Sequence, residues 1–168
     1  MIFTFSPMTE ADARAVGTWQ YEGPYRVYSL KRDDAAPAPE DELLDKRSPY
    51  FAVHDENDEL VGFFCFGTAA EVSGEVESPS LWTRDRSLTI GLGLRPDWTG
   101  RGLGLTFVEA GLDFARSQFA PSSFRLFVLT WNKRATRVYE RAGFRRVGTF
   151  LQRGEQETRE FAEMYRRA

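Results

Sequence analysis

Residues 88–105 read LTIGLGLRPDWTGRGLGL: an apolar strand pattern from Leu88 to Leu94 breaks at Arg95-Pro96 and reopens, through alternating glycines, into a helical pattern. A strand that turns this tightly into a helix commits the chain to an α/β arrangement. The first amides of a helix have no intrahelical partner and lie at the positive end of its dipole, so a glycine-rich turn there admits an anion closely. Gly100, Gly102 and Gly104 remove side chains that would obstruct it, and Arg101 adds a positive charge. The alternative is a tight turn that holds no ligand. A P-loop would close with Gly-Lys-Ser/Thr, and a dinucleotide fingerprint would carry a third glycine where Pro96 follows Gly91 and Gly93. Neither fits.

A chain of 168 residues suits one domain over 1–168, and its 42% hydrophobic and 14% aromatic content is enough to fill a core. A formal charge of −3 argues against a general nucleic-acid binder, which needs a basic footprint. No stretch reaches the ~20 apolar residues of a membrane span, and the first residues lack the order of a secretory signal, so a cytoplasmic protein without membrane partners is expected. The lone cysteine, Cys65, lies in Phe63-Phe64-Cys65-Phe66 and reads as core.

Along the chain, 2–5 reads as a strand, and Thr9 caps a helix running toward Trp19. The aromatic stretch 19–28, around Gly23-Pro24, reads as a loop or broken helix; 33–40 is a flexible connection and 41–47 a short polar helix. Strands are expected at 50–54 and 60–67, joined by the acidic turn 55–59. A long polar connection, 71–86, precedes the strand Leu88–Leu94. In that strand Leu88, Ile90, Leu92 and Leu94 are expected to face a core while Thr89, Gly91 and Gly93 leave the other face nearly bare, for a ligand or for a packed helix. A helix to about Phe119, a strand over 124–129, and a helix over 132–142, capped by Asn132 and closed by Gly143, come next. An antiparallel hairpin, 144–151 and 158–166, ends the chain, and its exposed strands could pair with a second copy to make a homodimer. The order describes a mixed, mostly antiparallel central sheet flanked by helices.

The glycine turn and the Asn132 helix together resemble the GNAT acyltransferase superfamily, whose members move an acetyl group from acetyl-CoA to an amine. The resemblance runs from about residue 50 to the end. A residue-x-Pro element leads there into an (Arg/Gln)-x-x-Gly-x-(Gly/Ala) turn, matched by Leu94-Arg95-Pro96 and by Thr99 to Gly104. An Asn-x-x-Ala-x-x-x-Tyr-x-x-x-Gly-Phe helix follows, matched by Asn132, Ala135, Tyr139, Gly143 and Phe144. The nearest subgroup in appearance contains the ribosomal-protein and protein N-terminal acetyltransferases.

The resemblance implies a GNAT-like acyl-CoA N-acyltransferase fold and acetyl-CoA as co-substrate, with no metal. Leu92, Gly93 and Leu94 would bind the pantetheine arm, and Thr99, Gly100, Arg101, Gly102, Leu103 and Gly104 would grip the pyrophosphate. Asn132 would add a side-chain contact to CoA beyond its role as a cap. Thr99 departs from the motif's Arg or Gln and so weakens the grip. Tyr139, the expected general acid, can protonate a departing thiolate at a cost of about 2 kcal/mol if the thiol behaves like a free cysteine; its other reading is a core residue.

A base is harder to find. The subgroup often carries Glu in the strand before the Asn helix, where this chain has Phe127. Glu22 is the first candidate, followed by Glu71, Glu75 and Glu77, while His54 beside a turn reads as structural. Trp19, Tyr21, Tyr25 and Tyr28 would either line an acceptor pocket or fill the core. The expected function is acetyl transfer to a primary amine of a small molecule or peptide. A CoA-binding sensor or interaction module that has lost its chemistry is the alternative.

Overall fold

The computed structural model describes residues 1–30, 39–72, 75–77, 87–154 and 157–168. Among the described residues, eight strands are hydrogen-bonded in the order β1-β2-β3-β5-β6-β8-β7-β4. The chain divides into two compact units, residues 1–69 with 92–103, and residues 70–91 with 104–168.

In the first unit, β1 (Thr4–Pro7) pairs antiparallel with β2 (Tyr50–His54), and β2 with β3 (Leu60–Phe66). The turn between β2 and β3 is organised by Asp55, whose carboxylate accepts the N–H groups of Asn57 and Glu59, both at 2.9 Å. Asp58 takes φ 63°, a left-handed conformation that aspartate tolerates better than most residues. Helix α1 (Glu10–Gly17) opens on a reciprocal capping box between Thr9 and Asp12. Asp12 also meets His54 Nε2 at 3.3 Å, which fixes α1 on β2 and gives the histidine its structural role. The region 19–28 is a broken helix as expected, a 3₁₀ turn over Gly23–Tyr28. Helix α2 (Pro39–Leu43) is shorter than the expected 41–47. Val16, Val53, Val61 and Phe64 are almost wholly buried, each stabilising the unit by about 1.5–3 kcal/mol, and Cys65 lies in the same core.

In the second unit, β5 (Leu88–Leu94) begins parallel to β6 (Ser123–Leu129) through Leu88↔Phe124 and Thr89↔Arg125. Strand β8 (Thr158–Arg167) lies antiparallel between β6 and β7 (Arg145–Arg153), and β4 (Glu75–Glu77) pairs with the end of β7. This corrects the expected free C-terminal edge: β8 is interior, β7 is met by β4 over 151–153, and the outermost strands are β1 and β4. Helix α3 (Gly104–Phe119) buries Phe107, Val108, Gly111, Leu112 and Ala115, the stripe its spacing predicts. Helix α4 (Lys133–Arg141) is bounded by Asn132 and by Gly143 at φ 85°. The connection expected at 33–40 lies, up to residue 38, outside the described residues, as does most of 71–86.

Candidate active site

In the first unit the end of β5 runs into a 3₁₀ turn, Pro96–Trp98, and then the glycine turn. Arg95 organises this corner. Its guanidinium grips Asp97 at 2.7 and 3.1 Å, donates to the Leu60 carbonyl at 2.9 Å and lies over the Trp98 ring. Hydrogen bonding to Arg95 holds the Asp97 carboxyl below its ordinary range. Thr99, where the motif has Arg or Gln, turns its hydroxyl back onto the Pro96 carbonyl at 2.7 Å and so closes the 3₁₀ turn. Gly100 and Gly102 adopt φ 73° and 79°, a conformation costly for any residue with a Cβ. Open space surrounds the position a Cβ would take on Gly102. Arg101 is exposed beside it.

The face of β5 expected to be bare is not so. A Cβ on Gly93 would stand 2.4 Å from the Phe63 ring, so this glycine admits an aromatic side chain of β3. Thr89 is buried as well, while Leu92 and Leu94 are half-buried. Alternation along β5 therefore separates neither core from solvent nor core from ligand. Phe63 in turn stacks on Trp19 at 6.2 Å and tilts against Tyr50 at 5.8 Å, which makes Trp19 a core residue. Burial pushes the Tyr50 phenol up, and its hydroxyl donates to Glu42 at 2.8 Å. Tyr21 is half-buried, donates to the Leu94 carbonyl and meets Tyr28 edge-on at 6.4 Å. Glu22, the first candidate base, is exposed at the start of the 3₁₀ turn and makes no capping bond.

In the second unit α3 starts at Gly104, preceded by Leu103, which has no side-chain acceptor, and its first turn contains no acid. Its leading amides thus lack the usual side-chain cap. A Cβ on Gly104 would meet Val138 of α4 at 3.1 Å, so this glycine serves helix contact rather than ligand access. Asn132 is buried, and its Oδ1 accepts the Ala135 N–H at 3.1 Å. Tyr139 is half-buried on α4, with its ring edge-on to Phe144 at 6.2 Å. Of the remaining candidate bases, Glu71 is tied to Arg125 at 2.8 Å and takes the Thr89 hydroxyl at 2.7 Å. Glu75 and Glu77 fall in β4, whose side chains lie outside the described residues.

One carboxylate escaped the sequence reading. Glu163 on β8 is buried, and it stands in register opposite Phe127 on β6 and Gly148 on β7. Directly opposed residues of an antiparallel ladder share a face, so Glu163 occupies the face that Phe127 presents. The signal was a lone acid between Ala162 and Met164, in a strand whose partners could not be known from local pattern. Among the described residues no cluster of three His, Cys, Asp or Glu side chains could hold a metal, and no helix is long and apolar enough to cross a membrane.

Strand, glycine turn and helix in this order, followed along the chain by the Asn132 helix, are those of an acyl-CoA-dependent transferase. The chain belongs to the acetyltransferase (GNAT) family, whose pattern it matches over residues 13–144, and it is an acetyl-CoA-dependent N-acetyltransferase. Solved structures share its fold at low identity. The spermidine N-acetyltransferase from Vibrio cholerae in complex with CoA and spermine is 19% identical with a TM-score of 0.71, covering 98% of this chain and 95% of that one. A crystal structure described as a putative phosphinothricin N-acetyltransferase is 17% identical with a TM-score of 0.68, covering 99% and 98%. No curated protein matches.

Proposed function

We propose that this enzyme acetylates a primary amine on a small molecule or peptide. The supporting observation is the turn of left-handed glycines, Gly100 and Gly102, followed directly along the chain by Gly104, where α3 begins without a side-chain cap. Those main-chain amides would hold the pyrophosphate of CoA, with Arg101 adding charge; the inward hydroxyl of Thr99 makes this a backbone grip. The pantetheine arm would add to the main chain of Leu92, Gly93 and Leu94, beyond the end of the ladder that joins β5 to β6 at Leu88 and Thr89. Asn132 would contribute from its cap position.

In the chemical step Tyr139 gives its phenolic proton to the departing sulfur as the carbon–sulfur bond breaks and the carbon–nitrogen bond forms. We assign the other proton, the one leaving the amine, to Glu163 in place of Glu22. It is a buried carboxylate on the face of Phe127, the position at which related enzymes often carry a glutamate, whereas Glu22 is exposed.

The test is calorimetry with CoA followed by thiol release across polyamines, amino acids, aminoglycosides and peptide N-termini. Gly102→Val is expected to weaken CoA binding at least tenfold. Tyr139→Phe and Glu163→Gln are each expected to lower kcat by roughly 10²-fold or more with CoA affinity unchanged. CoA binding with thiol release to none of these acceptors would overturn the reading.

A further inference from the structure

At the far end of α4 from Asn132, Gly143, Arg145, Tyr165, Arg166 and Arg167 line a cavity of about 380 Å³. Nine helical residues separate it from the Asn132 cap, roughly 14 Å along the axis, so it is distinct from the Asn132 end of that helix. Sheet register explains why these residues converge. Arg145 opposes Tyr165 across the β7–β8 ladder, which puts them on one face, and Arg167 follows two residues later on the same face. Arg166, opposite Phe124, points the other way. Its guanidinium bends back to donate to the carbonyls of Ala142 and Arg167 and lies over the Phe144 ring, which fixes it at the cavity.

The charge there is unusual for a chain with a net charge of −3. Among the described residues none of Arg145, Arg166 and Arg167 forms a salt bridge with a carboxylate, whereas Arg47, Arg95, Arg116, Arg125 and Arg159 all do. Burial, and then repulsion from Arg116, lowers the affinity of Arg166 for its proton, with Glu109 and Asp113 opposing that effect from α3. Asp113 is itself engaged by Arg116 at 2.6 Å. Guanidinium pKa values lie so high that Arg166 stays charged, and the cavity keeps an excess of positive charge that an anion would neutralise. The carbonyl end of a helix ordinarily repels anions, yet here the Ala142 carbonyl is covered by Arg166.

We propose that this cavity binds a phosphate monoester carried on a small aromatic body, a ligand of the mononucleotide class. Planar forks of N–H donors match tetrahedral phosphate oxygens, and a dianion calls for more than one of them. The volume falls in the range of small-molecule sites and exceeds the needs of a bare phosphate. Tyr165 supplies a half-buried ring against which a base could stack.

The experiment titrates AMP, and separately inorganic phosphate, into the purified protein by calorimetry with CoA present at saturation. AMP is expected to bind once per chain, and phosphate to displace it. Because Arg145 and Arg167 are exposed, the R145Q/R167Q variant should fold, as its melting curve will show. It is expected to lose AMP affinity at least tenfold with CoA affinity unchanged. Tyr165→Leu should weaken AMP while leaving phosphate unaffected; equal weakening of both, or of neither, rejects the stacked body and with it the mononucleotide class. Absence of saturable heat with either probe at millimolar concentration overturns the site. So does AMP binding that R145Q/R167Q leaves intact.

Discussion

The hydroxyl of Tyr21 donates to the main-chain carbonyl of Leu94 at 2.9 Å, tying the segment ahead of the 3₁₀ turn to the last residue of β5. It crosses 73 residues of sequence. If Leu92, Gly93 and Leu94 present main-chain groups to the pantetheine arm, this bond holds the strand end in place. Tyr21→Phe deletes the donor and leaves the ring. The expected cost is about 1 kcal/mol of stability, together with a several-fold rise in KM for acetyl-CoA. A variant whose KM and denaturation midpoint both match wild type would show that the bond positions nothing.

Gly93 and Phe63 make a second testable pair. The ring cannot swing freely away from a new methyl group, because Trp19 stacks on it and Tyr50 tilts against it. Gly93→Ala is therefore expected to destabilise by about 1–3 kcal/mol, the usual range for forced overpacking. In a Phe63→Leu background the same change should cost clearly less, and urea denaturation of the four proteins measures that coupling.

Gly93 also shows where local pattern stops informing. The strand Leu88–Leu94, both central helices, the Thr9 and Asn132 caps and the C-terminal hairpin were legible, since each depends on residues a few positions apart. The bare face of β5 was misread because its covering ring arrives from β3, and nothing between residues 88 and 94 encodes that. Glu163 was missed for the same reason: its significance lies in facing Phe127 across a ladder. Likewise β4 emerged from a stretch that reads as polar connection, and the free edge expected at the C-terminus is met by it. The glycine turn was legible as a tight passage from strand to helix, although its glycines stand there for different reasons: backbone conformation at Gly100 and Gly102, helix contact at Gly104.

Asp55 predicts how the β2–β3 turn responds to acid. The Glu59 N–H, with help from Asn57, stabilises its carboxylate and lowers its pKa. A depressed folded value means the contribution is complete above the unfolded value near ~3.9 and is lost as pH falls through the folded one. Asp55→Asn should therefore be less stable than wild type at pH 7. The two denaturation midpoints should converge below about pH 4. Parallel curves from pH 7 down to pH 2.5 would exclude Asp55 as the source.

The polar cluster of Arg125, Thr89 and Glu71 sets the last prediction, because its three members hydrogen-bond one another. The Thr89 hydroxyl donates to Glu71 at 2.7 Å and accepts from Arg125 Nη2 at 3.0 Å, while Arg125 Nη2 also reaches Glu71 at 2.8 Å. Arg125 is the deeply buried partner, with 7% of its side chain exposed against 29% for Glu71. Removing the carboxylate leaves a cation where water reaches poorly. Glu71→Ala is therefore expected to cost about 2 kcal/mol, below the range for a fully buried pair because Glu71 is partly solvated. Replacing both charges by apolar groups of similar size removes the buried cation together with its partner, so Glu71→Leu with Arg125→Met should be more stable than Glu71→Ala alone. Thermal and urea denaturation of the three variants decide it; a double variant less stable than Glu71→Ala would mean the cluster contributes net stability of its own.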